Sequence, residues 1–203
     1  MLQALDVYRW LMGAESRPAC EAFDAHVVGA VLALSVDATR RGVSLTDSLG
    51  LSPSETVELV GSLFPHAQGL FTGLSGATSQ PPGEDELCLR DLLWRASTER
   101  TELERKLAVI VARRAQLPNH LWQDLGLRHR RELSWLMSRH FEPLANKNST
   151  DMKWKKFLYR TICRDASYSL CVSPTCSECT DYDGCFGEEA GASLLSSPQG
   201  GEP

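Results

Sequence analysis

The chain has 203 residues, 42% of them hydrophobic and 23% charged, the ordinary balance of a globular protein. At this length folding buries roughly 70% of the unfolded surface, so neither disulfides nor metal are needed to make a core. A net charge of −5 argues against nucleic acid or an anionic membrane as partner, and against a field that would recruit either.

Residues 3–12 and 19–40 carry helical apolar spacing, with Phe23, Val27, Val31 and Leu34 on one face. The longest nearly apolar run, Val27 to Val36, is about half of what a bilayer span requires. The first residues carry Asp6 and Arg9 and show no cationic segment leading into an apolar one, so the reading predicts no signal peptide and a cytoplasmic protein. Ser52 as N-cap, Pro53 at the first helical position and Glu55 three residues after the cap predict a helix through Val57, Leu59, Val60 and Leu63, ended by Pro65. Residues 72–83 have the Gly, Ser and Pro content of a linker. The helical pattern resumes from Glu84 to Leu117 and stops at Pro118, and two further helices are predicted over 130–142 and 150–165.

These elements predict an all-α fold. An N-terminal helical half spans 1–71, a linker 72–83, a helical core half 84–170, a Cys-rich loop 171–187 and a disordered polar tail 188–203. Leu45, Leu49, Gly50 and Leu51 recur as Leu121, Leu125, Gly126 and Leu127, each time between helices. That recurrence suggests two pseudo-repeated helical halves, although Leu-Gly-Leu is also a common way to stop one helix and dock the next.

The chain has seven cysteines, an odd number that suits reduced cytosolic thiols better than paired disulfides. Cys20 and Cys88 stand alone, whereas Cys163, Cys171, Cys176, Cys179 and Cys185 lie close together. The last four form C-x4-C-x2-C-x5-C, with Pro174 and Gly184 between them to turn the chain. Four thiolates so spaced can converge on one soft metal centre. The first three match the plant-type ferredoxin run, which favours an iron–sulfur cluster. Structural zinc is the main alternative, but four-cysteine zinc sites more often pair two C-x2-C knuckles and only one is present here. Redox or incidental thiols are the third reading.

The helix before the loop adds a cationic stripe. Lys153, Lys156, Arg160 and Arg164 lie within about 80° of one another on a helical wheel, while Trp154, Leu158 and Ile162 occupy a separate, core-facing sector. Such a stripe can balance an anionic cluster and attract an oxyanion such as molybdate, or it is simply a solvated face. Cys163, near Lys156 on the same helix, is either a further ligand or a small buried residue. His120 follows a helix stop, where it can ligate metal or serve as a surface or capping residue. His26 reads as a core or interface residue, while His66, His129 and His140 give no site signal. Asp181, Asp183, Glu188 and Glu189 are either a partner-facing acidic patch or a solubilising one. No nucleophile–base or phosphate-cradling motif is present.

The segments NHLWQDLGL (119–127), RRELSWLMSRHFEPLANKN (130–148), DMKWKKFLYRTIC (151–163) and CVSPTCSECTDYDGCFGEE (171–189) together resemble the NifQ family of nitrogen fixation. The resemblance runs from about residue 84 to 189 and is diffuse over 1–71. It implies a carrier, not an enzyme: an iron–sulfur protein that holds molybdenum in a Mo–Fe–S cluster and donates it for assembly of the iron–molybdenum cofactor. It implies Cys171, Cys176, Cys179 and Cys185 as cluster ligands, with Cys163 and His120 as further candidates. The implied partners are molybdate or another molybdenum source, the cofactor-assembly scaffold and the nitrogenase iron protein.

Overall fold

The computed structural model describes residues 3–13, 19–72, 80–165, 179 and 181–196, and among these every regular element is helical. The N-terminal part comprises α1 (Ala4–Met12), α2 (Ala19–Thr39), α3 (Leu45–Leu49), α4 (Pro53–Leu63), a 3-10 turn (Pro65–Ala67) and α5 (Gln68–Phe71). After the 72–83 stretch, of which 73–79 lie outside the described residues, come α6 (Glu84–Arg95), α7 (Glu102–Ala115), α8 (Leu121–Asp124), α9 (Arg130–His140), α10 (Glu142–Lys147), α11 (Trp154–Asp165) and α12 (Tyr182–Phe186).

Local chemistry sets the boundaries. Ser52 caps α4 as its sequence predicts: its Oγ accepts from the Glu55 N–H at 3.3 Å, and its own N–H donates to Glu55 Oε2 at 3.0 Å. The continuous helix expected over Glu84–Leu117 is in fact two. Arg100 adopts a left-handed φ of +57°, and Thr101 opens α7 with its own reciprocal cap to Glu104. The 130–142 pattern likewise breaks at Phe141 (φ −137°), after which Glu142 begins α10 with Pro143 in its first turn. The helix predicted from residue 150 starts at Trp154 because Asn148 and Asp151 (φ +54°) build a turn ahead of it.

Both Leu-Gly-Leu segments end a short helix with a left-handed glycine, Gly50 at φ +74° and Gly126 at +73°. A Cβ on Gly126 would also sit 3.0 Å from Leu34 Cδ1 and 3.2 Å from the Ala30 carbonyl, so its absence eases the close approach of this turn to α2. This shared local geometry is what helix–glycine–helix junctions generally produce, and it does not establish a duplication of halves.

One apolar core joins the two expected halves. Leu11, Val31, Leu49 and Phe64 from the first meet Leu93, Ile110, Leu136, Phe141 and Leu158 from the second. α1 and α3 pack on α2, while α7 is flanked by α6, α3, α4 and α8. Residues Glu21–Thr39 of α2 are apolar and long enough to cross a membrane, more so than the run Val27–Val36 suggests, yet 78% of that stretch is buried inside the fold. Its buried polar residues Asp24, His26, Ser35 and Asp37 are matched to partners, as expected for a core helix. Asp24 accepts two bonds from Arg139 (3.0 and 3.1 Å) and lies 2.9 Å from His140 Nε2, and His26 bridges the Tyr8 hydroxyl (2.7 Å) and Glu132 (3.1 Å). Burial alone would raise the Asp24 carboxyl, but the bonds and charges of His140 and Arg139 outweigh it and hold Asp24 below its ordinary value.

Candidate metal centre

α11 provides the platform. Trp154 and Leu158 are buried in the core and Ile162 packs against it, which fixes the opposite face of the helix outward. The residue just ahead of that helix fastens the end of the cysteine segment. The Lys153 N–H donates to the Cys185 carbonyl at 2.8 Å, and Lys153 Nζ donates to the Asp183 carbonyl at 2.8 Å. Lys156 lies 3.5 Å from Asp181 in an exposed pair. Two members of the cationic stripe therefore grip the cysteine segment itself, a role that the helical wheel did not reveal. An exposed pair such as Lys156–Asp181 adds little stability, whereas the backbone bond to Cys185 fixes position.

Cys185 sits on α12 and Cys163 on α11, both half-buried, and Cys179 lies just ahead of α12 with similar exposure. The thiols of Cys163 and Cys179 are free. Cys171 and Cys176, two of the four expected cluster ligands, lie outside the described residues, as does the side chain of Arg164. Among the described residues no three Cys, His, Asp or Glu side chains gather closely enough to hold a metal ion. The donor chemistry nonetheless fits an iron–sulfur centre: reduced thiols stand beside a lysine-bearing helix face, at the edge of a core that closes without them.

His120 lies at the N-terminus of α8, its backbone N–H donating to Gln123 Oε1 at 3.2 Å. Its ring Nδ1 is 3.5 Å from Glu189 Oε1. Glu189, grouped by the sequence reading with an acidic patch either partner-facing or solubilising, is placed differently by the structure. It follows the cysteine segment in a polar stretch, yet its side chain is only 4% exposed, and Oε2 has no hydrogen-bond partner, with Arg130 Nε 4.0 Å away. Arg130 in turn donates through Nη2 to the carbonyls of Asp151 (2.8 Å) and Met152 (3.0 Å). His120, Glu189, Arg130 and the turn before Lys153 thus form one chain of contacts leading to Cys185. Glu189 faces inward and so is not part of an acidic patch offered to a partner.

The segment expected to be disordered from Glu188 is ordered over its first nine residues. Ser193 donates to the Gly126 carbonyl at 3.2 Å, Gln123 donates to the Ala192 carbonyl at 3.0 Å, and Leu195 is buried with Ala4, Ala30 and Leu34. Residues 197–203 lie outside the described residues. Cys88 is exposed on α6, the side chain of Cys20 is outside the described set, and His140 serves the buried pairs of Asp24 and Glu104 (2.9 and 3.7 Å).

The sequence profile of the NifQ family matches residues 27–187, reaching well into the half where the resemblance looked diffuse. A protein NifQ homolog of Sinorhizobium fredii is 36% identical over 172 residues, covering 84% of this chain and 75% of that protein. Protein NifQ of Rhodobacter capsulatus is 38% identical over 164 residues, covering 80% and 89% of the two chains. Protein NifQ of Azotobacter vinelandii is 33% identical over 169 residues, covering 76% and 85%. No solved structure matches the chain. With a family profile spanning most of its length and several relatives of comparable size, the chain belongs to the NifQ family.

Proposed function

We propose that this protein is a cytoplasmic metal carrier of nitrogen fixation. It holds an iron–sulfur cluster through Cys171, Cys176, Cys179 and Cys185 and gives up molybdenum for assembly of the iron–molybdenum cofactor. The family's name is consistent with a role in nitrogen fixation. The observation that carries the chemistry is the C-x4-C-x2-C-x5-C run inside the matched span, its far end fastened by Lys153 to a helical core that folds on its own apolar contacts.

When bound, the cluster supplies sulfide ligands soft enough to hold molybdenum. The chain's own residues do the rest. Lys153 positions Cys185, and the thiolates of Cys171, Cys176, Cys179 and Cys185 would hold the cluster. Cys163 and His120 are the further candidate donors, and a displaceable imidazole suits a cargo that must leave. Glu189 orients that imidazole from behind. Molybdate or another molybdenum source is the input, and the assembly scaffold and the nitrogenase iron protein are the recipients. Release to a partner is a transfer of cargo without catalytic turnover.

Anaerobic purification tests this. The proposal expects brown protein with sulfide-to-iron charge-transfer absorption that bleaches in the Cys176→Ala variant. Colourless protein that loses its tertiary structure on chelation would mark a structural zinc site instead.

A further inference from the structure

A cavity of about 710 Å³ opens between the end of α2, α3 and the C-terminal end of α7, with no cysteine among the described residues that line it, and Arg41, Arg113, Arg114, Asn119 and Asp124 on its wall. Arg114 is its most telling member. The side chain is buried, and its Nη2 donates only to neutral groups: the Val31 carbonyl (3.3 Å), Ser35 Oγ (2.5 Å) and Ser48 Oγ (3.1 Å). Its Nε has no partner, and among the described residues no carboxylate lies within ion-pair distance. Burial lowers Arg114 to about 10, with Asp124 opposing and Arg41 adding to the shift, so the guanidinium remains charged at neutral pH.

The surroundings do not neutralise it. Asp37 is shared by Arg40 (3.0 Å) and Arg41 (2.6 Å), and Glu86 is shared by Arg90 (2.5 Å) and Arg113 (3.1 Å). Asp124 is taken by Lys155 and by Asn119 (2.9 Å), and Asp47 accepts from Ser44 at 2.7 Å. Those five cations and four carboxylates, together with Arg114, leave a positive excess around a pocket whose buried guanidinium has no carboxylate within ion-pair distance among the described residues. A buried charge without a partner is costly, and a cavity beside it gives a ligand room to relieve that cost. Arg113 and Arg114 are consecutive on a helix and so approach from directions about 100° apart. That spread suits a ligand with charged oxygens on several sides better than a flat monocarboxylate.

We infer that this cavity is a binding site for a tetrahedral oxyanion, held by Arg114 from the core and by Arg41 and Arg113 from the mouth. Phosphate, sulfate and molybdate share that chemistry. Asn119 on the cavity wall immediately precedes His120, so an anion seated there adjoins the segment that carries the candidate imidazole ligand. The site does not depend on the thiolate centre.

Calorimetric titration of the full-length protein with sodium molybdate, sulfate and phosphate tests this, alongside the Cys179→Ala, Arg41→Gln and Arg114→Met variants. Saturable binding of at least one anion is expected. It should be retained in Cys179→Ala, weaken about fivefold or more in Arg41→Gln, and weaken with added chloride. Molybdate binding at least tenfold tighter than phosphate would identify the cavity as a molybdenum-source site, and equal binding would make it a general oxyanion site. Arg41 is peripheral, so its variant remains informative if Arg114→Met does not fold. Absence of saturable binding by all three anions, unchanged affinity in Arg41→Gln, or loss of binding in Cys179→Ala would overturn the inference.

Discussion

Glu189 Oε1 lies 3.5 Å from His120 Nδ1, joining residues on either side of the cysteine segment in sequence. Its other oxygen is buried opposite Arg130 without a hydrogen bond. This carboxylate ties the chain leaving α12 to α8 and α9, and its removal would leave the largely buried Arg130 without its acidic neighbour on that side. Glu189→Ala should therefore destabilise the protein by about 1–3 kcal/mol in urea unfolding. A change within a few tenths of a kcal/mol would show that this strap contributes nothing to the fold.

The two reciprocal caps make a matched pair of probes. Thr101→Ala should cost about 1 kcal/mol, as should Ser52→Ala, because each leaves an N-terminal amide of its helix without an acceptor. Thermal unfolding of both variants measures this. Near-wild-type stability of Thr101→Ala would mean that Arg100 and the chain before it set the break between α6 and α7 without help from the cap.

Asp24 couples stability to pH. Its carboxyl is held below the ordinary value of 3.8, so the unfolded chain takes up its proton at a higher pH than the folded one. Its contribution is thus fully present above the unfolded value and is lost as pH falls through the folded one. The Asp24→Asn variant should be less stable than wild type at neutral pH, and the gap should narrow below about pH 4. Denaturant midpoints measured from pH 7 to 3 check this, and a constant gap would assign the effect to packing and not to charge.

Helices needing only local instructions were readable from the sequence, and features needing distant partners were not. The pattern Ser52-Pro53-x-Glu55 declares a helix start within four residues. Thr101-x-x-Glu104 has the same form, but leucine periodicity continues on both sides of it and no Gly or Pro marks the break, so α6 and α7 read as one helix. Leu194 and Leu195 are a short apolar pair in a polar tail, where composition signals solvent although Ala4, Ala30 and Leu34 bury Leu195. Asp24 and His140 are 116 positions apart, and nothing near either announces the other. At the candidate centre, cysteine spacing suggested the donors and the helical wheel the lysine face. That Lys153 would bind the Cys185 backbone, or that Glu189 would turn inward, depends on tertiary placement alone.

Iron binding should separate from folding. Cys179→Ala should lose most of its bound iron while far-UV circular dichroism stays close to wild type, because among the described residues the core from Leu11 to Leu158 contains no cysteine. Collapse of the helical signal in that variant would make the metal a structural element.

The central claim concerns what the four thiolates hold, and elemental analysis addresses it directly. Protein expressed with iron and molybdate and purified without oxygen should contain iron and acid-labile sulfide, with molybdenum accompanying them. All three should fall together when Cys171, Cys176, Cys179 and Cys185 are replaced by alanine. Stoichiometric zinc with no iron in the wild-type protein, under the same conditions, would contradict the account.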